Sequence, residues 1–552
     1  MASLDDEIEA GGRQPDADGE HVSSKRDESC LTTPIVSRCY NLPLIGDRRE
    51  RMSCTASRRI VLASSLLLAL RATALTDTQV PKIWDDAALE NWATPVATLN
   101  VRPAHFTAAE YYAAPAENLR TYPVYRPDKE PPGYWESLQH KKPEPLVDAS
   151  QIHTKADWIA AGERAFRELD DPSTRSNDPA LIAMARDPKS FDQIAGLADG
   201  TIHEPRWVVT DKGVMLTNLA CATCHFSVTA DRQIHYATPI TIAPGVGPVS
   251  LAPVFRELGR RAQRSFAPAT PDGVKIMYLA PWVTGDAERL ERLLARPAAA
   301  AALFSSPHGV IPRPNGSPFY GARLPDLHLL RYNRYIDATG THRLRGPEDV
   351  ARYAALITFA DPMEFGTYRI LNPEQRRVRG RFADEALYAI GTYLLSLEPP
   401  KNPSPPPAEL VKRGEQIFAR EKCSVCHPAP NYTTGELTPA LGFDPPSSHP
   451  NVGDVRRRSV GTDPGLAMRT RKGTGFYKIP SLRGLWYRPR LLHDASIATL
   501  EELFDAARLN PDYERKGWIA PDMTKGAVPG LEFLTTITPD DKAALIAFLR
   551  SL

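Results

Sequence analysis

Cys221-Ala222-Thr223-Cys224-His225 and Cys423-Ser424-Val425-Cys426-His427 are two copies of one pattern, C-x-x-C-H. That spacing is the attachment motif of c-type haem. Two thiols three residues apart lie on one helical turn, and each can form a thioether to one vinyl group of a porphyrin. The histidine that follows then lies beneath the ring and ligates the iron. Other uses of such pairs fit less well. An all-cysteine zinc site leaves both histidines unexplained. Redox dithiols belong in a thioredoxin-like βαβ pattern, which is not seen here, and a two-residue gap is a poor disulfide staple. The duplicated motif therefore predicts two covalent haems, held by Cys221, Cys224, Cys423 and Cys426, with His225 and His427 as proximal ligands.

Each motif sits inside a larger repeated frame. Upstream of the first is Ala161-Gly162-Glu163-Arg164-Ala165-Phe166, in a helical stretch beginning near Lys155. Upstream of the second is Arg413-Gly414-Glu415-Gln416-Ile417-Phe418. The shared G-E-x-x-F puts an aromatic one turn after a glycine. A glycine costs a helix ~1 kcal/mol, so its presence points to another helix crossing closely. Downstream, Asp384 to Leu397 and Asp540 to Leu552 read as amphipathic helices. They end alike, in Tyr393-Leu394-x-Ser396-Leu397 and Phe548-Leu549-x-Ser551-Leu552. Pro539 stands where a first-turn proline is tolerated. This ordered set, found twice, resembles the cytochrome c fold. The expected fold class is mainly α, with two cytochrome c-like haem domains and much irregular coil.

Between the halves, Glu398 to Pro407 holds six prolines in ten residues and reads as a stiff, polyproline-like linker. The expected domains are 151–398 for the first haem and 408–552 for the second, joined by 399–407. Nine residues lead from Gly414 to Cys423, but 59 lead from Gly162 to Cys221. The first domain is thus enlarged by insertions. Residues 75–150, with their prolines and tyrosines, read as an extended wrap over the surface.

The 552 residues carry 67 basic and 66 acidic side chains, a balance that gives no reason to expect nucleic acid or an anionic membrane as partner. Hydrophobic content of 42 % and charged content of 24 % exclude a multi-span membrane protein and a wholly disordered chain. The 52 prolines are about 9 %, against a usual ~5 %, and argue for coil between short helices. The apolar run Ile60 to Leu70 is eleven residues long, where a membrane span needs ~20. It follows Arg58 and Arg59 and precedes Ala72-Thr73-Ala74, the layout of a secretory signal peptide over 52–74. Residues 1–51 are polar and aperiodic, and the expectation is that translation begins at Met52. Cleavage after Ala74 removes Cys30, Cys39 and Cys54, leaving four cysteines, all in the motifs. The expected location is the periplasm, with no transmembrane anchor in the mature chain.

A further stretch narrows the reading. Tyr477-Lys-Ile-Pro480-Ser481-Leu482-Arg483-Gly484, with His493-Asp494-Ala495-Ser496 and Thr499-Leu500-Glu501 beyond it, resembles the V-P-[ST]-L-R, H-[DN]-G-S and T-L-E block of the bacterial di-haem cytochrome c peroxidase superfamily. That group includes the di-haem enzyme that matures methylamine dehydrogenase and the di-haem rubber oxygenases. Tyr332-Asn-Arg-Tyr-Ile-Asp-Ala-Thr-Gly-Thr-His342 is similar to a large-form branch. The resemblance implies a periplasmic oxidoreductase, peroxidase-like, with the first haem as reaction site and the second as electron relay. It also implies a small electron donor (a cytochrome c or a cupredoxin), peroxide or dioxygen as oxidant, and calcium as an accompanying ion. Two alternatives stay open: a di-haem oxygenase acting on an organic substrate, and a non-catalytic electron-transfer cytochrome.

The departures from the family concern the distal ligands. The peroxidases place a methionine soon after the H-D-G-S histidine, whereas Ala498 to Asn510 contains none. Pro529-Gly530-Leu531-Glu532-Phe533 has leucine where two-histidine relatives often have G-H-E-F. Met523, Met468, His493 and Tyr513 are the candidates for the sixth position. In the first domain His235, His308, His328 and His342 are candidates to ligate or border the haem. Asp361 and Glu364 are candidate acid/base groups, and Trp207 a candidate haem-edge aromatic.

Overall fold

The motif-flanking helices form where the apolar periodicity puts them. In the computed structural model, which describes residues 80–251, 271–296, 309–310, 315–488 and 490–552, helix α1 covers Lys155–Glu168. Thr154 opens it with a capping box, its hydroxyl accepting from the Asp157 N–H while the Asp157 carboxylate accepts from the Thr154 N–H; such caps are worth roughly 1 kcal/mol. Helix α3 (Asp384–Ser396) packs on it, and α2 (Pro347–Phe359) packs on α3. In the second half, α4 (Ala408–Arg420) crosses α5 (Pro539–Ser551), with Pro539 in the first turn and Thr538 as cap. The segments read as signal peptide and upstream sequence, and His308, lie outside the described residues.

Both predicted glycine crossings are present. At Gly162 on α1, a Cβ would overlap the Ala389 carbonyl of α3 and stand 2.7 Å from the Tyr393 Cβ. At Gly414 on α4, it would overlap the Ala544 carbonyl of α5 and stand 2.6 Å from the Phe548 Cβ. One turn on, the aromatics meet: Phe166 with Tyr393 at 6.0 Å between ring centroids, and Phe418 with Phe548 at 5.2 Å. Glycine and phenylalanine on one helix thus seat on alanine and an aromatic of the other, in both halves. Each crossing belongs to its own apolar cluster. The first gathers Phe166, Leu387, Ile390 and Leu356, and the second Ile417, Phe418, Leu545 and Leu549. Large side chains buried in this way contribute roughly 1.5–3 kcal/mol each.

The expectation of a mainly α fold does not hold. Of the described residues 34 % are helical and 14 % are strand, with several small sheets. The largest strand lies in the insertion between Gly162 and Cys221. Strands β1 (Thr121–Tyr125), β2 (Thr201–Thr210) and β3 (Gly213–Thr217) form an antiparallel sheet in that spatial order. The β2–β3 hairpin turns at Asp211-Lys212, and Gly213 takes φ 100°, a conformation glycine adopts without a Cβ penalty. The β-branched run of T-I-H-E-P-R-W-V-V-T and the turn residues after it are the sequence signal for this hairpin.

The N-terminal segment is more than a surface strap. Trp84 and Trp92 are fully buried in the cluster that holds Phe166 and Leu387. The Tyr112 hydroxyl donates to Asp384 at the start of α3 at 2.7 Å, and Ala116–Glu117 pairs in parallel with Arg381–Phe382. Residues 397–407 carry no helix or strand, and two side chains pin them: Trp486 Nε1 donates to the Pro400 carbonyl at 3.1 Å and Asn402 Nδ2 to the Arg550 carbonyl at 2.9 Å. Among the described residues no helix is long and apolar enough to cross a membrane.

Candidate haem sites

The two C-x-x-C-H turns differ in their surroundings. The second is a single 3₁₀ turn, Cys423–Val425, closed by the Cys426 N–H and the His427 N–H, both donating to the Cys423 carbonyl at 3.2 and 2.9 Å. The His427 ring is nearly enclosed. Its Nδ1 lies 3.0 Å from the Tyr432 carbonyl, so the ring proton belongs on Nδ1 and Nε2 is left for a metal. Burial pulls the imidazole pKa down, against the Tyr432 and Pro480 carbonyls, which favour the protonated ring. A neutral, oriented imidazole is what iron ligation needs.

The first turn is enclosed by the inserted sheet. Between the two cysteines Ala222 is 0 % exposed and Thr223 half-buried, whereas the matching Ser424 and Val425 are both exposed, Val425 by 52 %. Beyond the β2–β3 ladder, β2 loses register against β1 between Pro123 and Tyr125. Such an irregularity re-aims side chains, and here both His203 and Glu204 are buried. Glu204 Oε1 accepts from the Leu219 N–H at 2.8 Å and from the Thr223 hydroxyl. His203 Nε2 donates to the Ala222 carbonyl at 3.1 Å, and its ring packs on Phe226 at 3.9 Å. Burial raises the Glu204 carboxyl to about 7 and lowers the His203 imidazole to about 3. Neither residue was singled out from sequence. The adjacent histidine and glutamate inside a β-branched run were the only signal.

The donor set suits covalent haem. Among the described residues no disulfide forms, and burial pushes the Cys221 thiol to about 12 and the Cys423 thiol to about 11. Cys221 and Cys423 are therefore held as thiols, and a histidine directly follows each cysteine pair. No group of three or more His, Cys, Asp or Glu side chains among the described residues is arranged to hold a metal ion. Calcium has no such cluster there, while a haem iron takes only one or two ligands from the chain.

The distal candidates fall in three places. Met468 and His493 share a neighbour: Met468 packs against the cluster containing Tyr477, and His493 stacks on Tyr477 at 4.4 Å. The Tyr513 hydroxyl is engaged by Glu502 at 2.7 Å, and Met523 is 40 % exposed. In the first half, His235 is exposed on a short strand, and His328 Nδ1 is 2.9 Å from Asp326. Both nitrogens of the buried His342 ring are engaged, Nδ1 with Thr341 and Nε2 with His105, which leaves none for iron. His342 and Asp361 line one cavity of about 20 Å³ with Arg471 and Lys472, room for a single water. Glu364 instead lies near Arg376, at 3.7 Å. Trp207 is buried against Trp135 in the cluster formed by the sheet.

No protein-family model and no curated protein matches the chain. Two solved structures show local likeness. Hydrazine synthase of Kuenenia stuttgartiensis is 17 % identical over 32 % of this chain and 58 % of its own, with a TM-score of 0.20. A MauG-like protein associated with microbial copper homeostasis is 18 % identical over 35 % of this chain and 62 % of its own, also with a TM-score of 0.20. This chain thus spans less than two thirds of either. At that score the likeness is distant and carries no argument of its own.

Proposed function

We propose that this chain is an exported di-haem c-type oxidoreductase, peroxidase-like, with the haem at Cys221 and Cys224 as reaction site and the haem at Cys423 and Cys426 as electron relay. The unequal exposure of the two turns carries the division. Val425 lies at the surface, where a donor protein can approach, and Ala222 is fully enclosed. A relay needs an accessible edge, whereas a reaction site gains from excluding water. When bound, haem supplies iron redox chemistry toward peroxide or dioxygen.

The chain's own residues do the rest. The four thiols would hold two porphyrins, and His225 and His427 would ligate their irons. The Tyr432 carbonyl sets the His427 ring by taking its Nδ1 proton. Asp361, in the cavity with Arg471, is the candidate to hold or move a proton for the oxidant. The expected donor is a small periplasmic cytochrome c or cupredoxin.

Haem content and spin state of the exported protein, followed by peroxide addition with a reduced donor, test this reading. Two covalent haems, one high-spin iron and oxidation of the donor are expected. Two low-spin irons indifferent to peroxide would make it a carrier. Oxygen uptake coupled to an organic substrate would make it an oxygenase, and fewer than two covalent haems would overturn the di-haem reading.

A further inference from the structure

The first turn has a side-chain support that, among the described residues, the second lacks. Two adjacent residues of β2, His203 and Glu204, reach the two middle residues of Cys221-Ala222-Thr223-Cys224. Glu204 bonds the Thr223 hydroxyl and, through the same oxygen, the Leu219 N–H that leads into the turn. His203 bonds the Ala222 carbonyl and packs against Phe226, the residue after His225. The strand is itself anchored at this point: the His203 N–H donates to Val249 at 2.8 Å, and the Glu204 carbonyl accepts from Leu251 at 3.0 Å. In the second turn, Ser424 and Val425 face solvent.

On the di-haem reading above, we propose that Glu204 and His203 are positioning residues for the first haem, clamping the segment between its two cysteines so that His225 meets the iron in one orientation. The second haem is held without such a clamp. Fixing Thr223 and Ala222 fixes the separation of the Cys221 and Cys224 sulfurs, and with it the seat of the porphyrin above His225. A strand-borne clamp is stiffer than a loop, and supporting contacts of this kind set ligand geometry.

The test uses the full-length holoprotein. Glu204→Leu removes the acceptor, Glu204→Gln keeps a carbonyl oxygen that can accept from both donors, and Thr223→Val removes the hydroxyl at similar volume. The readouts are covalent haem per chain, the ferrous pyridine band (which moves when a vinyl group stays unattached) and the reduction potential of each haem. Glu204→Leu and Thr223→Val are expected to lose a thioether at the first haem or shift its potential, with the second haem unmoved. Glu204→Gln is expected to restore most of the wild-type signature. If Glu204→Leu fails to fold, Thr223→Val decides alone. Unmoved signatures in Thr223→Val, or equal shifts at both haems, would overturn the proposal. Wild-type protein without haem at Cys221 and Cys224 would instead overturn the di-haem reading beneath it.

Discussion

His105 and His342 meet through their Nε2 atoms at 3.3 Å, deep between the N-terminal segment and α2. The neighbours settle which ring donates. The Thr341 hydroxyl donates to Asp337 at 3.1 Å, so it accepts from His342 Nδ1 at 3.0 Å. His342 Nε2 is then bare, and His105 donates to it. Tyr353 and Lys472 also reach Asp337, while Arg352 lies over the Trp92 ring at 5.2 Å. Burial, reinforced by Arg352, lowers the His105 pKa to about 4, and burial lowers that of His342 as well.

The sign of the pH dependence follows. An unfolded histidine takes up a proton near pH 6.5, while the folded His105 resists protonation to about 4. Between those values the unfolded chain binds more protons, so stability is complete above about pH 6.5 and falls as the solution is acidified. The loss approaches on the order of 3 kcal/mol for His105 by pH 4. Denaturant melts from pH 7.5 downward should show this slope. His105→Gln, which keeps a donor toward His342, should flatten it. An unchanged slope in that variant would place the acid sensitivity elsewhere.

The helix crossings make a sharper mutational prediction. Alanine at Gly414 gains ~1 kcal/mol of helix propensity but drives a Cβ into the Ala544 carbonyl. Overpacking against backbone costs roughly 1–3 kcal/mol or more, so Gly414→Ala should be destabilising by about 2 kcal/mol. Gly162→Ala should behave alike against Ala389. A Cβ at Gly453 would meet nothing within 4 Å, and Gly453→Ala should stay within about 0.5 kcal/mol of wild type. Unfolding midpoints of the three variants test this.

The crossings also show what the sequence could reveal. Gly162 and Gly414 were legible because a glycine inside a strong helical period has few reasons to be there, and the aromatic one turn later supplies the reason. The helices at Asp384 and Pro539 were legible from period and cap. His203 and Glu204 were not. They act through a register shift of β2 against β1, a long-range pairing that no local pattern encodes. The His105–His342 pair was hidden for a related reason. Each residue is unremarkable alone, and 237 positions separate them.

On the di-haem reading, exposure of the second turn predicts where a donor protein would deliver electrons. Arg456 and Arg458 favour charge on the Cys426 thiol while Glu436, which pairs with Arg456, opposes it, which leaves Arg458 as a positive charge near the second turn. A small acidic donor should reduce the second haem fastest at low salt. Its rate should fall as ionic strength rises from roughly 0.05 to 0.5 M, because exposed charges are screened beyond a Debye length. Val425→Asp should slow an acidic donor several-fold and leave both haem spectra unchanged. Stopped-flow reduction of the two forms measures this, and a rate indifferent to salt and to the substitution would put the contact elsewhere.

On the di-haem reading, the protons around Tyr477 single out His493 as distal ligand of the second haem. Its hydroxyl donates to the Asp463 carbonyl. At 3.3 Å from the same oxygen, His493 Nε2 must therefore be the donor, which puts the ring proton on Nε2. His493 Nδ1 is then a bare nitrogen, and it is buried with no hydrogen-bond partner. A buried acceptor left in that state costs about 1–3 kcal/mol, a cost that iron ligation would remove. Tyr513 has no such need, since Glu502 takes its hydroxyl proton, and Met523 stands 40 % exposed. On the di-haem reading with a six-coordinate second haem, His493→Gln should turn that haem high-spin, while Tyr513→Phe and Met523→Leu leave its spectrum unchanged. A low-spin signal that survives His493→Gln and disappears in Met468→Leu would assign the ligand to methionine, and with it a higher reduction potential for the relay.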